Sequence, residues 1–230
     1  MMLCTMPEKS GGCRQAIRNH LNSYSQSRVC YKDMSNTFLT PSYHWRNRYL
    51  LMRHGHSQAN AQGRIISTPE RGIDAYGLSP EGERQLDDAL VDWRWPVPTQ
   101  VVHSDFLRTT RTAARVASAF GLGMAIDERL RERHFGELEG QADSHYPEVW
   151  AQDAQSAAHR QWQVEPLTSV AARMCATLEA LEQRWQGETV LVVSHGDPLQ
   201  ILLTALAGKP LTQHREQLAL APASITLVGG

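Results

Sequence analysis

The chain has 230 residues, 41% of them hydrophobic, and a formal net charge of -1, which allows one sizeable core and gives no reason to expect nucleic acid or an anionic membrane as partner. No apolar run approaches the ~20 residues of a membrane helix, and the N-terminus lacks the hydrophobic centre of a signal peptide. Cys4, Cys13 and Cys30 precede residue 46 and only Cys175 follows it, a distribution that argues against a disulfide framework and for a reducing, cytoplasmic setting.

Residues 1–45 are rich in Ser, Asn, Gly and Cys and keep no apolar period of helix or strand type. They are expected to form a poorly ordered extension, with Met34 as the working start, ahead of one domain over 46–230. Tyr49-Leu50-Leu51-Met52 is an apolar strand that runs into Arg53-His54-Gly55-His56-Ser57-Gln58-Ala59-Asn60. Strand ends are where α/β proteins keep their sites. Arg53 offers a planar fork to phosphate oxygens and His54 is a potential nucleophile. Gly55 permits close backbone approach, and Ser57 and Asn60 supply neutral donors.

Ser67 to Gly72 reads as a loop, and Ser79-Pro80-Glu81 marks a helix start that should run to about Trp93, ahead of Pro96. Val101-Val102-His103 is a short strand. Ser104 or Asp105 is expected to cap the next helix, which Gly121 closes after Phe120. Arg108 and Thr112 share a face near its N-terminus, where the dipole favours an anion. Residues 135–166 lose regular patterning and suggest a small helical lid over the sheet. Val170, Met174, Leu178, Leu181 and Trp185 keep helical spacing as a core stripe, and Gly187 ends that helix. Thr189 to Val193 is too apolar for a half-exposed strand and is expected to be a central parallel one. It delivers His195. Asp197-Pro198 should cap and start the helix from Leu199 to Leu206, and Ile225 to Val228 should be the last strand.

Four stretches, Arg53-His54-Gly55, Ser104 to Ala113, Leu130-Arg131-Glu132-Arg133-His134-Phe135-Gly136 and Ser194-His195-Gly196, follow one another in the order found in the histidine phosphatase superfamily, which the chain resembles from about residue 48 to its end. The resemblance implies an α/β fold, a three-layer α/β/α sandwich with a mostly parallel central sheet. It also implies that His54 becomes phosphorylated, that Arg53, Arg108 and His195 surround the phosphoryl group, and that Glu132 is the acid/base. Substrate contacts are expected from Arg53, Ser57, Asn60, Arg108, His195 and Gly196. Two guanidiniums and an imidazolium would supply the positive charge that phosphoryl transfer needs, so neither metal nor cofactor is required.

The expected activity is hydrolysis of a small phosphorylated metabolite. A cofactor-dependent phosphoglycerate mutase is the alternative, but the segment from Glu132 to His195 is short for one and its basic residues are sparse: Arg133, Arg160, Arg173 and Arg184. Specificity is expected from His159 and Arg160 and from the loop with Arg64 and Arg71. His56, where many relatives carry Glu or Gln, creates a His-x-His pair and raises a metal-dependent alternative. Asp197 is also unusual and reads most simply as a helix cap. A non-catalytic phospholigand binder could dispense with His54 and Glu132, so their presence argues against that reading.

Overall fold

The computed structural model describes residues 45–229 and the backbone of 31–32 and 38–39. The expected disorder of residues 1–44, with Met34, lies outside the described residues apart from a short antiparallel pair, β1 (Tyr31–Lys32) and β2 (Phe38–Leu39). The domain then runs β3 (Arg48–Arg53), α1 (Gln58–Ala61), α2 (Pro69–Gly72), α3 (Pro80–Val91), β4 (Gln100–His103), α4 (Leu107–Phe120) and β5 (Ala125–Ile126). After the lid helix α5 (Tyr146–Asp153) come α6 (Leu167–Arg184), β6 (Thr189–Ser194), α7 (Gly196–Leu206) and β7 (Ile225–Val228).

The sheet order is β5-β4-β6-β3-β7, parallel throughout except that β7 pairs antiparallel with β3. Alternation along β3 builds the layers, because successive side chains point to opposite faces. Tyr49 and Leu51 pack with Val190 and Val192 against α6 and α7, through residues such as Met174, Leu178 and Leu202. Leu50 and Met52 pack with Leu191 and Val193 against α3 and α4, through Leu86, Ala113 and Val116. The three-layer α/β/α sandwich is thus present. β6 is buried along its whole length, as its unbroken apolar run predicts.

Local signals set several boundaries. Gly82 N donates to Ser79 Oγ at 3.2 Å and Pro80 fills the first helical position of α3, which stops two residues short of Trp93. Gly121 closes α4 at φ 66°. The start of α4 is different from the expected one: Phe106 is the N-cap, with no side-chain cap, because Asp105 pairs with Arg131 and Ser104 turns into the site. The lid over 135–166 holds three 3₁₀ turns and one eight-residue helix around a small core of Ile65, Phe135, Leu138, Val149 and Val164. Cys175 is buried on α6 and is disulfide-bonded. Among the described residues no helix is long and apolar enough to cross a membrane.

Candidate active site

β3 and β6 lie side by side in parallel with Arg53 opposite Ser194, so His54 and His195, the next residue of each strand, emerge at one carboxyl edge. Both are buried, and their ring centroids stand 5.2 Å apart. The first turn of α4 brings Arg108 to both rings: its Nε is 3.2 Å from His54 Nε2 and 3.2 Å from His195 Nδ1. Thr112, one turn further on, accepts from Gly55 N at 3.1 Å and ties α4 to the loop after β3.

Partners fix the tautomers. His54 Nδ1 lies 2.8 Å from the Gly55 carbonyl oxygen. A carbonyl only accepts, so Nδ1 carries the proton and Nε2 keeps its lone pair. His195 presents Nδ1 to the Arg108 donor and Nε2 to Ser104 Oγ at 3.0 Å, which places its proton on Nε2. Burial holds both imidazoles well below the ordinary histidine range, and the neighbouring Arg108 lowers them further. His195 is therefore neutral in the free site. The expected imidazolium is absent there, and the positive charge comes from two guanidiniums.

Those guanidiniums are incompletely satisfied. Arg53 Nη1 donates to the Leu220 carbonyl at 2.6 Å and Arg108 Nη2 to the Ile66 carbonyl at 3.0 Å. Arg53 Nε and Arg108 Nη1 are buried and have no hydrogen-bond partner among the described residues. Buried cationic donors left in this state are costly unless a ligand completes them. Glu132 stands on the far side, with Oε2 3.7 Å from both Arg108 Nη2 and His195 Nδ1, while Oε1 accepts from Arg133 N at 3.0 Å. Burial pushes its carboxyl up to about 7, against the opposing pull of Arg108.

These groups open on a cavity of about 210 Å³ that is also lined by Ser57, Asn60 and Gly196. Ser57 is tied to Asn60 Oδ1 and N in a capping box at the start of α1, which leaves the Asn60 Nδ2 amide as the side-chain donor of the pair. Gly196 leaves room for Arg53, whose Nε would lie 3.2 Å from an added Cβ. His54, Glu132 and His195 bring ligand atoms within 4.8 Å of one another, a spacing open to a cation. The buried Arg108 guanidinium, which lies against all three, opposes one. His56 is outside that group and lies 2.8 Å through Nδ1 from Ser79 Oγ, so the His-x-His metal reading does not hold.

Beside the site is a buried ion network. Arg133, fully buried, makes a two-pronged pair with Asp153 at 2.7 and 2.8 Å, donates through Nη1 to Asp197 at 3.2 Å and through Nε to the Glu165 carbonyl at 2.8 Å. This corrects the reading of Asp197 as a helix cap: His195 is the N-cap of α7, and the Asp197 carboxylate faces Arg133 and His214. Burial would raise that carboxyl, but His214 and Arg133 hold it well below the usual range. His159, expected to help set specificity, bonds to Asp153 at 2.7 Å.

The chain matches the model of the Histidine phosphatase superfamily (branch 1) over residues 49–229. It belongs to that superfamily. The probable phosphoglycerate mutase GpmB of Escherichia coli is 33% identical over 183 residues, covering 77% of this chain and 82% of the relative. Among solved structures, the mycobacterial glucosyl-3-phosphoglycerate phosphatase in complex with VO3 is 28% identical, with a TM-score of 0.66 over 78% of this chain and 90% of that one. Bacillus stearothermophilus YhfR is 25% identical, with a TM-score of 0.67 over 79% and 90%. The superfamily comprises phosphatases and mutases.

Sequence reasoning missed Ser104 as the partner of His195, Arg133 with its two carboxylates, and the wall formed by Tyr146, Trp150 and Arg215. Ser104 and Arg133 stood inside recognised motifs and carried a signal. Arg215 did not, since the stretch from Pro210 to Leu220 keeps no apolar period.

Proposed function

We propose that the protein is a metal-independent phosphomonoester hydrolase that acts on a small phosphorylated metabolite through phosphohistidine at His54. One observation carries the reading: His54 keeps Nε2 unprotonated, with only the Arg108 N–H pointing at it, beside the guanidiniums of Arg53 and Arg108, each of which still has a buried, unpartnered N–H group. In the first step Nε2 attacks phosphorus, the ester P–O bond breaks, and protonated Glu132 gives its proton to the departing oxygen. A carboxyl near 7 is well placed for that at neutral pH. In the second step water attacks phosphorus, Glu132 takes a proton from it, and the N–P bond breaks to release inorganic phosphate. Arg53 and Arg108 hold the phosphoryl oxygens in both steps, and a bound dianion supplies the negative charge that protonation of His195 would require.

Hydrolysis is favoured over mutase transfer because two of the lid region's basic residues, Arg133 and Arg173, are engaged elsewhere. Arg133 is neutralised by Asp153 and Asp197, and Arg173 by Glu165 and backbone carbonyls. Neither is free to hold the second phosphate of a bisphosphorylated intermediate. The near-neutral net charge supports a small-molecule substrate in preference to nucleic acid or a membrane surface. Rapid quenching after mixing with a labelled phosphomonoester should trap an acid-labile phosphoenzyme in the native protein and none in His54→Ala. Equal labelling of the mutant would refute the nucleophile. Interconversion of 2- and 3-phosphoglycerate faster than phosphate release, on the same preparation, would favour the mutase.

A further inference from the structure

We infer that Tyr146, on the lid, is a catalytic residue whose hydroxyl donates a hydrogen bond to the ester oxygen of the bound phosphomonoester. The inference rests on the hydrolase reading above. Tyr146 opens α5, and its side chain lines the same cavity as His54, Arg108 and Glu132. The ring is held from two directions. It meets Phe135 edge to face at 4.9 Å and stacks on Trp150 at 5.4 Å with only 7° between planes. Phe135 is itself fully buried three residues after Glu132, and Trp150 lies under the guanidinium of Arg215 at 3.7 Å. The ring position is therefore set by the same segment that sets Glu132.

The hydroxyl makes no hydrogen bond among the described residues, and Tyr146 lines the cavity, so its donor is left for a ligand there. Burial first and the nearby Glu132 charge second hold the phenol well above its ordinary range, which keeps the proton on oxygen through the working pH range. A neutral phenol of this kind can donate but will not take over as a base. Of the substrate atoms, the phosphoryl oxygens already have Arg53 and Arg108, which approach from the sheet edge. The ester oxygen is the atom that Glu132 must reach, and Tyr146, on the lid, shares the cavity with Glu132 and is near enough to feel its charge. Two donors then share that oxygen: Glu132 transfers its proton as the P–O bond breaks, and Tyr146 stabilises the charge that develops without losing its own.

A donor on the leaving oxygen matters in proportion to how poor the leaving group is. Tyr146→Phe keeps both ring contacts and removes only the hydroxyl, and thermal melting should show the fold unchanged. With an alkyl phosphate, kcat/KM should fall about tenfold or more, below the ~10²–10³ cost of losing an oxyanion-hole donor. With p-nitrophenyl phosphate, whose leaving group needs no such help, it should change less than about twofold. An equal fall for both esters, a larger fall for the aryl ester, or no fall for either overturns the assignment. Trapping of phosphohistidine in the same preparations separates the two ideas: if the native protein forms none, the hydrolase reading itself fails, whereas normal phosphohistidine formation with identical ester dependence in the variant removes Tyr146 alone.

Discussion

Arg108 and Arg133 both carry buried guanidiniums, yet they are prepared for opposite tasks. Arg133 is neutralised: two carboxylates and a backbone carbonyl take its donors at 2.7 to 3.2 Å. Arg108 has its nearest carboxylate oxygen at 3.7 Å, points Nε at two histidine nitrogens and leaves Nη1 unpartnered. Burial is common to both, so burial alone does not mark a ligand-binding cation. The distinguishing property is charge and donor capacity left unused after the chain has folded. That difference also divides the molecule, with Arg133 fastening the lid, through Asp153, to α7, through Asp197, while Arg108 and Arg53 wait at the sheet edge.

The comparison can be broken from either side. The largest effect is expected for Arg133→Met, which strands Asp153 and Asp197 as buried carboxylates and should lower stability by about 3–5 kcal/mol in denaturant titration. A variant as stable as the native protein would show that the network does not hold the lid. Arg108→Met should do the reverse: kcat/KM should fall ~10²–10³, while the melting temperature stays or rises because an incompletely paired buried charge has been removed. Loss of stability with little loss of rate would reverse the assignment of the two arginines.

Glu132 sharpens the same contrast through pH. Its folded carboxyl is raised to about 7 from an ordinary 4.5, so the folded state holds the proton more tightly than the unfolded one. The stabilisation is full below about 4.5 and is lost as pH rises through about 7. Glu132→Gln should remove this slope and be more stable than the native protein at pH 8 by up to ~3 kcal/mol. Native kcat/KM should also fall as pH rises past about 7, where the general acid is spent. A flat difference in stability between pH 5 and 8 would contradict the raised carboxyl. The smallest effect is expected for Ser104→Ala, which removes one hydrogen bond from His195. A loss near 1 kcal/mol corresponds to a roughly fivefold lower kcat/KM, with melting little changed. An unaltered rate would mean that packing alone orients the ring.

The sheet and its two reacting histidines were legible because their causes are local. An unbroken β-branched run forces a doubly covered strand, and the residue after such a strand emerges at the carboxyl edge, as His54 and His195 do. Ser79-Pro80 and Gly121 fixed helix ends for similarly local reasons. Where two local choices competed, tertiary contacts decided. Asp105 and Asp197 are good capping residues in isolation, but each gains a cationic partner, Arg131 and Arg133, that a short-range reading cannot supply.

The sequence by itself determined the layered α/β framework, the strand-end placement of His54 and His195 and the presence of Arg53, Arg108 and Glu132, since side-chain period, β-branching and motif order are properties of neighbouring residues. Only the tertiary structure decided the charge and proton state of those groups. His195 is neutral because burial and Arg108 act together, Glu132 titrates near 7 because burial outweighs Arg108, and Asp197 is ionised because His214 and Arg133 converge on it from distant parts of the chain. Desolvation and Coulomb interactions depend on distance in space, and distance in space is what the order of residues leaves open.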